Sequence, residues 1–116
     1  MHATLTVLGS GTSMGVPTIG CDCAVCRSPD PRDRRTRPSV MISYCDPHDN
    51  ARHVLIDTTP DFREQALREK ITQLYAVLYT HTHADHILGI DDLRPLIPEL
   101  LAALALLKPR SLMKIG

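Results

Sequence analysis

The 116-residue chain lacks tryptophan and lacks net charge. With 43% hydrophobic residues and no tryptophan, the composition predicts one small domain with a modest core. Thirteen lysines and arginines balance thirteen aspartates and glutamates. We therefore expect no overall electrostatic field that would favour nucleic acid or an anionic membrane.

The chain also lacks the marks of export and of membrane insertion. No basic region followed by an apolar stretch opens the sequence, and no apolar run is long enough to span a bilayer. We therefore expect a cytoplasmic protein. In that reducing compartment, the four cysteines are more naturally metal ligands or free thiols than disulfides. The glycine-rich residues 8–17 lack the Gly-Lys-Ser/Thr ending of a P-loop, which disfavours binding of a nucleoside triphosphate.

The most informative segment is residues 81–86, which read His-x-His-x-Asp-His directly after a short apolar run. That run is rich in β-forming residues and predicts a buried strand. If the chain stays extended beyond it, the two-residue period places His81 and His83 on one side, close enough to share an ion. Asp85 and His86 follow where the backbone turns toward a helix, so they can face a second ion. The alternative is a polar turn with local hydrogen bonds, but no structural need explains this spacing.

The side-chain types in the motif narrow the choice of metal ion. Imidazole and carboxylate suit zinc, with manganese or iron as alternatives.

A second group, Cys21, Cys23 and Cys26, places three thiols in one short loop. Three sulfurs need a fourth ligand to close a tetrahedral structural zinc site, and three ordinary reduced thiols are the alternative interpretation. The chain offers three candidates for the fourth ligand, namely Cys45, His48 and His53.

The remaining pattern predicts strands and one helix. Residues 4–8 alternate polar and apolar side chains, as a strand with one buried face should, and residues 39–44 and 53–57 predict a hairpin. Residues 61–70 predict a helix that leads into the strand before the histidines, which gives a strand-helix-strand unit typical of layered α/β proteins. The apolar stripe of that helix is predicted to comprise Phe62, Ala66 and Leu67.

Arginines are concentrated in residues 28–38, a proline-broken segment that predicts a loop. A guanidinium group can pair with two phosphoryl oxygens at once. We keep Arg37 as a candidate substrate contact because it immediately precedes the next strand. A solvated loop is the simpler interpretation for Arg32 and Arg34.

Taken together, residues 8–17, the three-cysteine loop and the histidine motif resemble the metallo-β-lactamase-fold hydrolases. Within that family they are most similar to the branch holding the cyclic phosphodiesterase of the carbon-phosphorus lyase pathway, a relative of the tRNA 3′-processing endonucleases. The resemblance implies an α/β fold, the N-terminal half of an αββα sandwich with a mixed sheet and flanking helices. It covers residues 1–95 as a partial domain and leaves residues 96–116 as an apolar tail of unrecognised origin. We therefore expect a truncated or frame-shifted product, or the N-terminal part of something longer.

The same resemblance implies roles for the site residues. His81, His83, Asp85 and His86 would hold two zinc ions, and Asp85 would also orient a metal-bound hydroxide that attacks a phosphodiester. Asp57, at the end of a predicted strand, would orient one of these ligands from behind. The family's remaining ligands come from later strands, and residues 96–116 contain no histidine or aspartate to replace them.

The first functional hypothesis is therefore a metal-dependent phosphodiesterase acting on a small or cyclic phosphodiester. The alternatives are a catalytically incomplete metal-binding fragment that needs a partner chain, and a nuclease like those that process tRNA 3′ ends. The expected partners are a small substrate and either a second copy of the chain or a missing C-terminal half. The sequence carries no strong signal for nucleic acid, and no membrane is expected.

Overall fold

The structure, a computed structural model, describes residues 2–96 and the backbone of residues 104–106. Its strands lie side by side in sequence order in one mixed sheet: β1 (Ala3–Gly9), β2 (Ser39–Cys45), β3 (Ala51–Ile56), β4 (Ala76–Tyr79) and β5 (Leu104–Leu106). The first three strands are antiparallel neighbours, whereas β4 is parallel to β3 and to β5. Two α-helices, α1 (Phe62–Arg68) and α2 (Ala84–Ile87), and two 3₁₀ segments, Pro31–Asp33 and Ile90–Leu96, complete the described elements. The predicted α/β class with a mixed sheet and flanking helices is confirmed.

The predicted hairpin is present as β2 and β3, with Ser43 opposite His53. The Asp46 carboxylate closes its turn by accepting hydrogen bonds from the backbone N–H groups of His48 and Asn50, both at 2.9 Å. The Asn50 N–H is the main cause that holds the pKa of Asp46 below its ordinary value. This turn lies at the sheet edge opposite the one where β3 ends.

Helix α1 is shorter than predicted, and part of its predicted apolar stripe is wrong. Phe62 is buried and Ala66 packs against the core, but Leu67 is 63% exposed. Successive helical residues are rotated by about 100°, so a face centred on Phe62 and Ala66 turns Leu67 toward solvent. Gln65 takes its place in the interior, where its Nε2 donates to Thr36 Oγ1 at 3.0 Å and to the Arg37 carbonyl oxygen at 2.9 Å.

The core lies on one face of the sheet, beneath α1 and the segment that includes Ile90–Leu96. Its buried members are Leu8, Met41, Leu55, Phe62, Leu74, Val77, Tyr79, Leu93 and Leu96. Ile71 and Ile87 pack against this cluster from its margin. The core is modest, as the composition predicts.

The other face of the sheet is apolar but uncovered by the described residues. The alternation in residues 4–8 predicts a strand with one buried face, and β1 has one, but its alternating apolar residues Leu5 and Val7 are 61% and 53% exposed, whereas Leu8 is 1% exposed. Alternate residues of a strand face opposite sides, so Leu8 joins the core and Leu5 and Val7 cannot. We call the uncovered side the open sheet face; its apolar residues across β1 to β3 are Leu5, Val7, Val40, Ile42, Val54 and Ile56.

Strand directions gather the candidate site residues at one edge of the sheet. Gly9 ends β1, Ser39 begins β2, Ile56 ends β3 and Tyr79 ends β4, and the pairing register brings these positions to the same edge. We call it the site edge. In the described part of the chain, no helix is long and apolar enough to cross a membrane. The predicted tail, residues 96–116, lies outside the described residues except for Leu96 and the backbone of β5.

Candidate metal centre

The three histidines of the motif lie together at the site edge. His81 follows β4 after one residue, and His83 directly precedes α2 with an extended backbone (φ −66°, ψ 147°). The ring centroids of His81 and His83 are 4.5 Å apart, and those of His81 and His86 are 4.0 Å apart. The strand end and the following helical turn thus bring three imidazoles into one cluster.

Asp57 lies behind this cluster and is 4% exposed. One carboxylate oxygen, Oδ1, accepts the backbone N–H of Thr80 at 2.8 Å. The other, Oδ2, accepts the Thr80 hydroxyl at 2.7 Å and lies 2.7 Å from Nδ1 of His86. Its backbone φ of 65° is in the left-handed region, which aspartate and asparagine adopt more readily than most residues. Asp57 therefore connects the end of β3 to both ends of the histidine motif.

The hydrogen-bond chain assigns the protons on two of the histidines. A carboxylate only accepts, so His86 Nδ1 must carry the proton in its contact with Asp57. The Thr80 hydroxyl has one proton and donates it to Asp57, so it must accept from Nδ1 of His81, 2.9 Å away. In its neutral form His81 then keeps a lone pair on Nε2, and a neutral His86 likewise carries its lone pair on Nε2, which faces Oδ2 of Asp85 3.0 Å away. That atom is the one a metal ion would bind.

Asp85 completes the motif beside His86. Its Oδ2 lies 3.0 Å from Nε2 of His86, and the two side chains are 21% and 18% exposed. In the described residues, only the three cysteines bring three ligand atoms within 4.8 Å of one another, so no three donor atoms of the histidine motif converge this closely. The donor chemistry fits zinc: two imidazoles with the correct tautomer, a third beside them and one carboxylate. The metal-ligand roles of His81, His83, Asp85 and His86 remain predictions.

Two threonines that the sequence analysis does not single out hold this arrangement in place. Thr80 carries the proton chain described above, and Thr58 is fully buried. The Thr58 N–H donates to the His86 carbonyl oxygen at 2.9 Å, and its hydroxyl lies 2.9 Å from the Tyr79 hydroxyl. Burial is the main cause that raises the pKa of Tyr79. The available signal is position: each threonine directly neighbours a candidate residue at a strand end.

The three-cysteine loop forms a second cluster. The sulfur atoms of Cys21, Cys23 and Cys26 lie within 4.8 Å of one another. The backbone N–H of Cys26 donates to the Cys23 sulfur at 3.4 Å and is the main cause that lowers the pKa of Cys23 to about 7. The Thr18 N–H similarly donates to the Cys26 sulfur at 3.5 Å. The geometry is compatible with three ligands of a structural zinc ion, and that role remains a prediction.

The proposed in-chain fourth ligands do not join the cysteine cluster among the described residues. Cys45 and His48 lie at the far end of the β2–β3 hairpin. His53 Nδ1 lies 2.8 Å from the Ser43 hydroxyl on the neighbouring strand. None of the three therefore closes the site.

The Arg37 side chain binds other residues of the protein. Its Nη1 lies 3.0 Å from Oδ1 of Asp61, and its Nε donates to the Ser13 carbonyl oxygen at 2.8 Å. The backbone N–H of Arg37 also donates to Asp61. These bonds fasten the loop after β1 to the start of α1, and a substrate contact by Arg37 remains a prediction.

Comparison with known proteins gives the family. A family model described as "Beta-lactamase superfamily domain" matches residues 52–111, just over half of the chain and including the histidine motif. The chain belongs to this superfamily. A crystal structure described as a new diphosphatase from the PhnP family superposes with a TM-score of 0.80 at 61% identity, over 97% of this chain and 44% of that one. The resemblance stated from the motifs is confirmed, and the chain comes from a hydrolase family.

Other relatives cover similarly limited parts of longer proteins. An octanoyltransferase of Porphyromonas gingivalis is 56% identical over 88 residues, covering 76% of this chain and 17% of that protein. A coenzyme PQQ synthesis protein B of Methylobacterium nodulans is 33% identical over 97 residues, covering 76% of this chain and 32% of that protein. Zinc-bound PqqB from Methylobacterium extorquens shares the fold, with a TM-score of 0.66 at 24% identity, over 98% of this chain and 40% of that chain. The chain thus spans less than half the length of each of these relatives.

Proposed function

We propose that the chain forms the metal-binding half of a hydrolase that cleaves a phosphodiester or diphosphate link in a small molecule. The observation that carries this proposal is the hydrogen-bond chain around Asp57, which places protons on Nδ1 of His81 and His86 and so leaves Nε2 as the metal-binding atom of each neutral ring. In His86 that atom faces Oδ2 of Asp85, a second candidate ligand, at 3.0 Å. The similarity to a PhnP-family diphosphatase supports phosphorus as the reacting centre.

Within this proposal each residue has a separate task. His81 and His83 would hold one zinc ion, and Asp85 and His86 would hold a second beside it, with manganese or iron as alternative metals. Bound zinc supplies a Lewis acid for the phosphoryl group and lowers the pKa of a bound water. Asp85, whose Oδ2 lies 3.0 Å from Nε2 of His86, would orient a water molecule for attack. Asp57 fixes the imidazole of His86 from the buried side.

A second candidate function is an incomplete metal-binding fragment that needs a partner chain. Two observations favour it: among the described residues no three donor atoms of the motif lie within 4.8 Å of one another, and the open sheet face exposes Leu5 and Val7. A second copy of the chain or a C-terminal half are the two partners to consider. The described residues 81–86 would then supply one side of a site that the partner completes.

Hydrolysis of bis-p-nitrophenyl phosphate by the purified chain, loaded with zinc or manganese, separates the two functions. Turnover that Asp85→Ala abolishes supports the hydrolase, and Asp92→Ala is the matched control because Asp92 is an exposed aspartate outside the motif. Retained metal without turnover in the wild-type chain would overturn the enzyme hypothesis for this chain and favour the fragment. Equal turnover in wild type and Asp85→Ala would remove Asp85 from the mechanism.

A further inference from the structure

A cleft of about 410 Å³ opens at the site edge, beside the end of β1. Its walls come from the loop after β1, from the segment that precedes β2 and from α1. Four arginines and two carboxylates line it: Arg34, Arg35, Arg37, Arg68, Asp61 and Glu64. The lining therefore carries an excess of positive charge on a chain whose net charge is zero.

The hydrogen bonds show which of these charged side chains are already paired within the protein. Arg37 and Asp61 form an ion pair, so they neutralise each other. Arg68 donates from Nη2 to the Leu8 carbonyl oxygen at 2.6 Å and pairs with Glu69. These bonds hold the side chains of Arg37 and Arg68 in the walls of the cleft. Arg34 and Arg35 are the two arginines of the lining whose side chains can adjust to a ligand.

Arg34 and Arg35 are both exposed. Arg35 donates from Nη1 to the Ser10 hydroxyl at 3.0 Å, which holds the side chain against the loop after β1 while its second terminal nitrogen keeps its N–H donors. Arg34 and Arg35 both line this cleft. A guanidinium group is suited to a phosphate group, because it can pair with two of its oxygens.

The rim of the same cleft is apolar. Met14 is 58% exposed and Ile19 is fully exposed, and Val16 and Pro17 lie between them in the lining. Large apolar side chains exposed beside free cations are typical of a ligand site that takes a molecule with an apolar ring and an anionic end. A nucleoside phosphate has that construction.

The cleft lies within reach of the candidate metal centre. Asp61, in its wall, is four residues after Asp57, whose carboxylate contacts His86. Four residues span at most about 14 Å even when fully extended. One small molecule could therefore occupy the cleft with one end and present its other end to the histidines.

We propose that this cleft binds the nucleoside phosphate part of the substrate. Arg34 and Arg35 bind its phosphate, and Met14 and Ile19 pack against its base. This inference rests on the proposed function, since it names the substrate as a small molecule in which a nucleoside phosphate is linked to the phosphoryl group that is cleaved.

The test is calorimetric titration of the metal-free chain with AMP, a probe that contains no bond to be cleaved. We expect measurable binding that weakens by at least about tenfold in the Arg34→Gln/Arg35→Gln variant, because charge-assisted hydrogen bonds are lost. Arg63→Gln is the matched control, since Arg63 is an exposed arginine on α1 outside this cleft, and it should bind AMP like wild type. Inorganic phosphate and adenosine, which each offer one half of the ligand, should both bind at least about tenfold more weakly than AMP.

Several results would overturn the inference. These are equal AMP affinity in the double variant and in wild type, an equal loss in Arg63→Gln, or phosphate or adenosine binding as tightly as AMP. A short single-stranded RNA that binds through the same arginines more tightly than AMP would assign the cleft to nucleic acid instead. Hydrolysis of bis-p-nitrophenyl phosphate without AMP binding would overturn the cleft assignment alone, whereas AMP binding without hydrolysis would overturn the proposed activity and keep the cleft.

Discussion

Nδ1 of His86 lies 2.7 Å from Oδ2 of Asp57, and this contact joins the end of one strand to the helical turn that follows another. Asp57 is buried, so the contact is shielded from solvent and the imidazole is held in one orientation. Carboxylates in this position behind a metal-binding histidine fix both the ring orientation and the tautomer. The orientation and the tautomer of the candidate ligands are therefore fixed by residues, such as Asp57, that would not contact the metal.

The substitution Asp57→Asn tests whether Asp57 orients His86 for metal binding. An amide offers a donor where His86 and Thr80 need an acceptor, and asparagine tolerates the positive φ at this position. We expect zinc affinity at the histidine motif to fall by about 10- to 100-fold. Competition with a chromophoric chelator measures it, in a Cys21→Ser/Cys23→Ser background so that the cysteine loop does not contribute.

Asp49→Asn is the matched control, because Asp49 also has a positive φ, of 63°, but lies in the exposed turn of the β2–β3 hairpin. It should leave the zinc affinity unchanged. Wild-type affinity in Asp57→Asn would show that Asp57 supports the fold without orienting a ligand.

The Thr80 hydroxyl is predicted to select the tautomer of His81. Thr80→Val removes the group that accepts the Nδ1 proton at nearly constant volume, whereas Thr80→Ser retains it. We expect zinc affinity to fall about tenfold in the valine variant and to be restored in the serine variant. Imidazole ¹⁵N chemical shifts of the metal-free protein report the tautomer directly: His81 should carry its proton on Nδ1 in wild type and in Thr80→Ser. The same tautomer in Thr80→Val would contradict the proton chain.

The cysteine loop is expected to hold a zinc ion of its own. Cys21→Ser/Cys23→Ser removes two of the three clustered sulfurs, so the metal content should fall by about one zinc per chain while the histidine motif keeps its share. Cys45→Ser is the control, because Cys45 is an exposed thiol outside the cluster. Elemental analysis of the purified variants measures the content. An unchanged zinc content in the double variant would rule the site out.

The lowered pKa of Cys23 predicts its reactivity. Since the thiolate is the nucleophile and the pKa is about 7 instead of 9.0, alkylation of Cys23 by iodoacetamide in zinc-free protein should rise steeply around pH 7 and level off above it. The pKa of the neighbouring Cys26 is raised despite the Thr18 N–H, through the Cys21 thiol and burial, so its alkylation should rise only at higher pH. Mass spectrometry resolves the two sites in one sample. Identical pH profiles would contradict the effect of the Cys26 N–H.

The sequence predicts the parts of this fold that depend on local pattern. The β2–β3 hairpin follows from two β-rich runs around a polar turn, and the cluster of His81, His83 and His86 follows from spacing after a strand. The role of Asp57 is implied by resemblance, and its contact with His86 agrees with that role. Each of these features depends on residue type and on spacing within a short segment, and the sequence shows both directly.

What the sequence does not reveal depends on contacts between distant segments. Alternation in β1 shows that Leu5 and Val7 share a face but not that the helices pack on the opposite one, and the burial of Gln65 depends on partners 28 and 29 residues away. The same holds for Thr80, whose hydroxyl matters only because Asp57 is brought beside it from 23 positions earlier. Long-range pairing, rather than local propensity, decides these cases.

The open sheet face is expected to mediate self-association. Contiguous exposed apolar surface on a sheet favours contact with another molecule, so the wild-type chain should form dimers or larger species at micromolar concentration. In Leu5→Glu/Val7→Glu, two carboxylates on neighbouring positions of that face should shift the chain to monomer. Because both residues are more than half exposed, the free energy of unfolding should change by no more than about 0.5 kcal/mol. Sedimentation velocity and urea titration measure the two quantities.

Leu88→Glu serves as the control for added charge, because Leu88 is 63% exposed at the end of α2 and not on the open sheet face. It should leave the association state unchanged. A monomeric wild-type chain would argue that the face is reserved for a different partner, such as a C-terminal half. A loss of more than about 2 kcal/mol in Leu5→Glu/Val7→Glu, the size expected for a buried position, would show that this face is already covered within one chain.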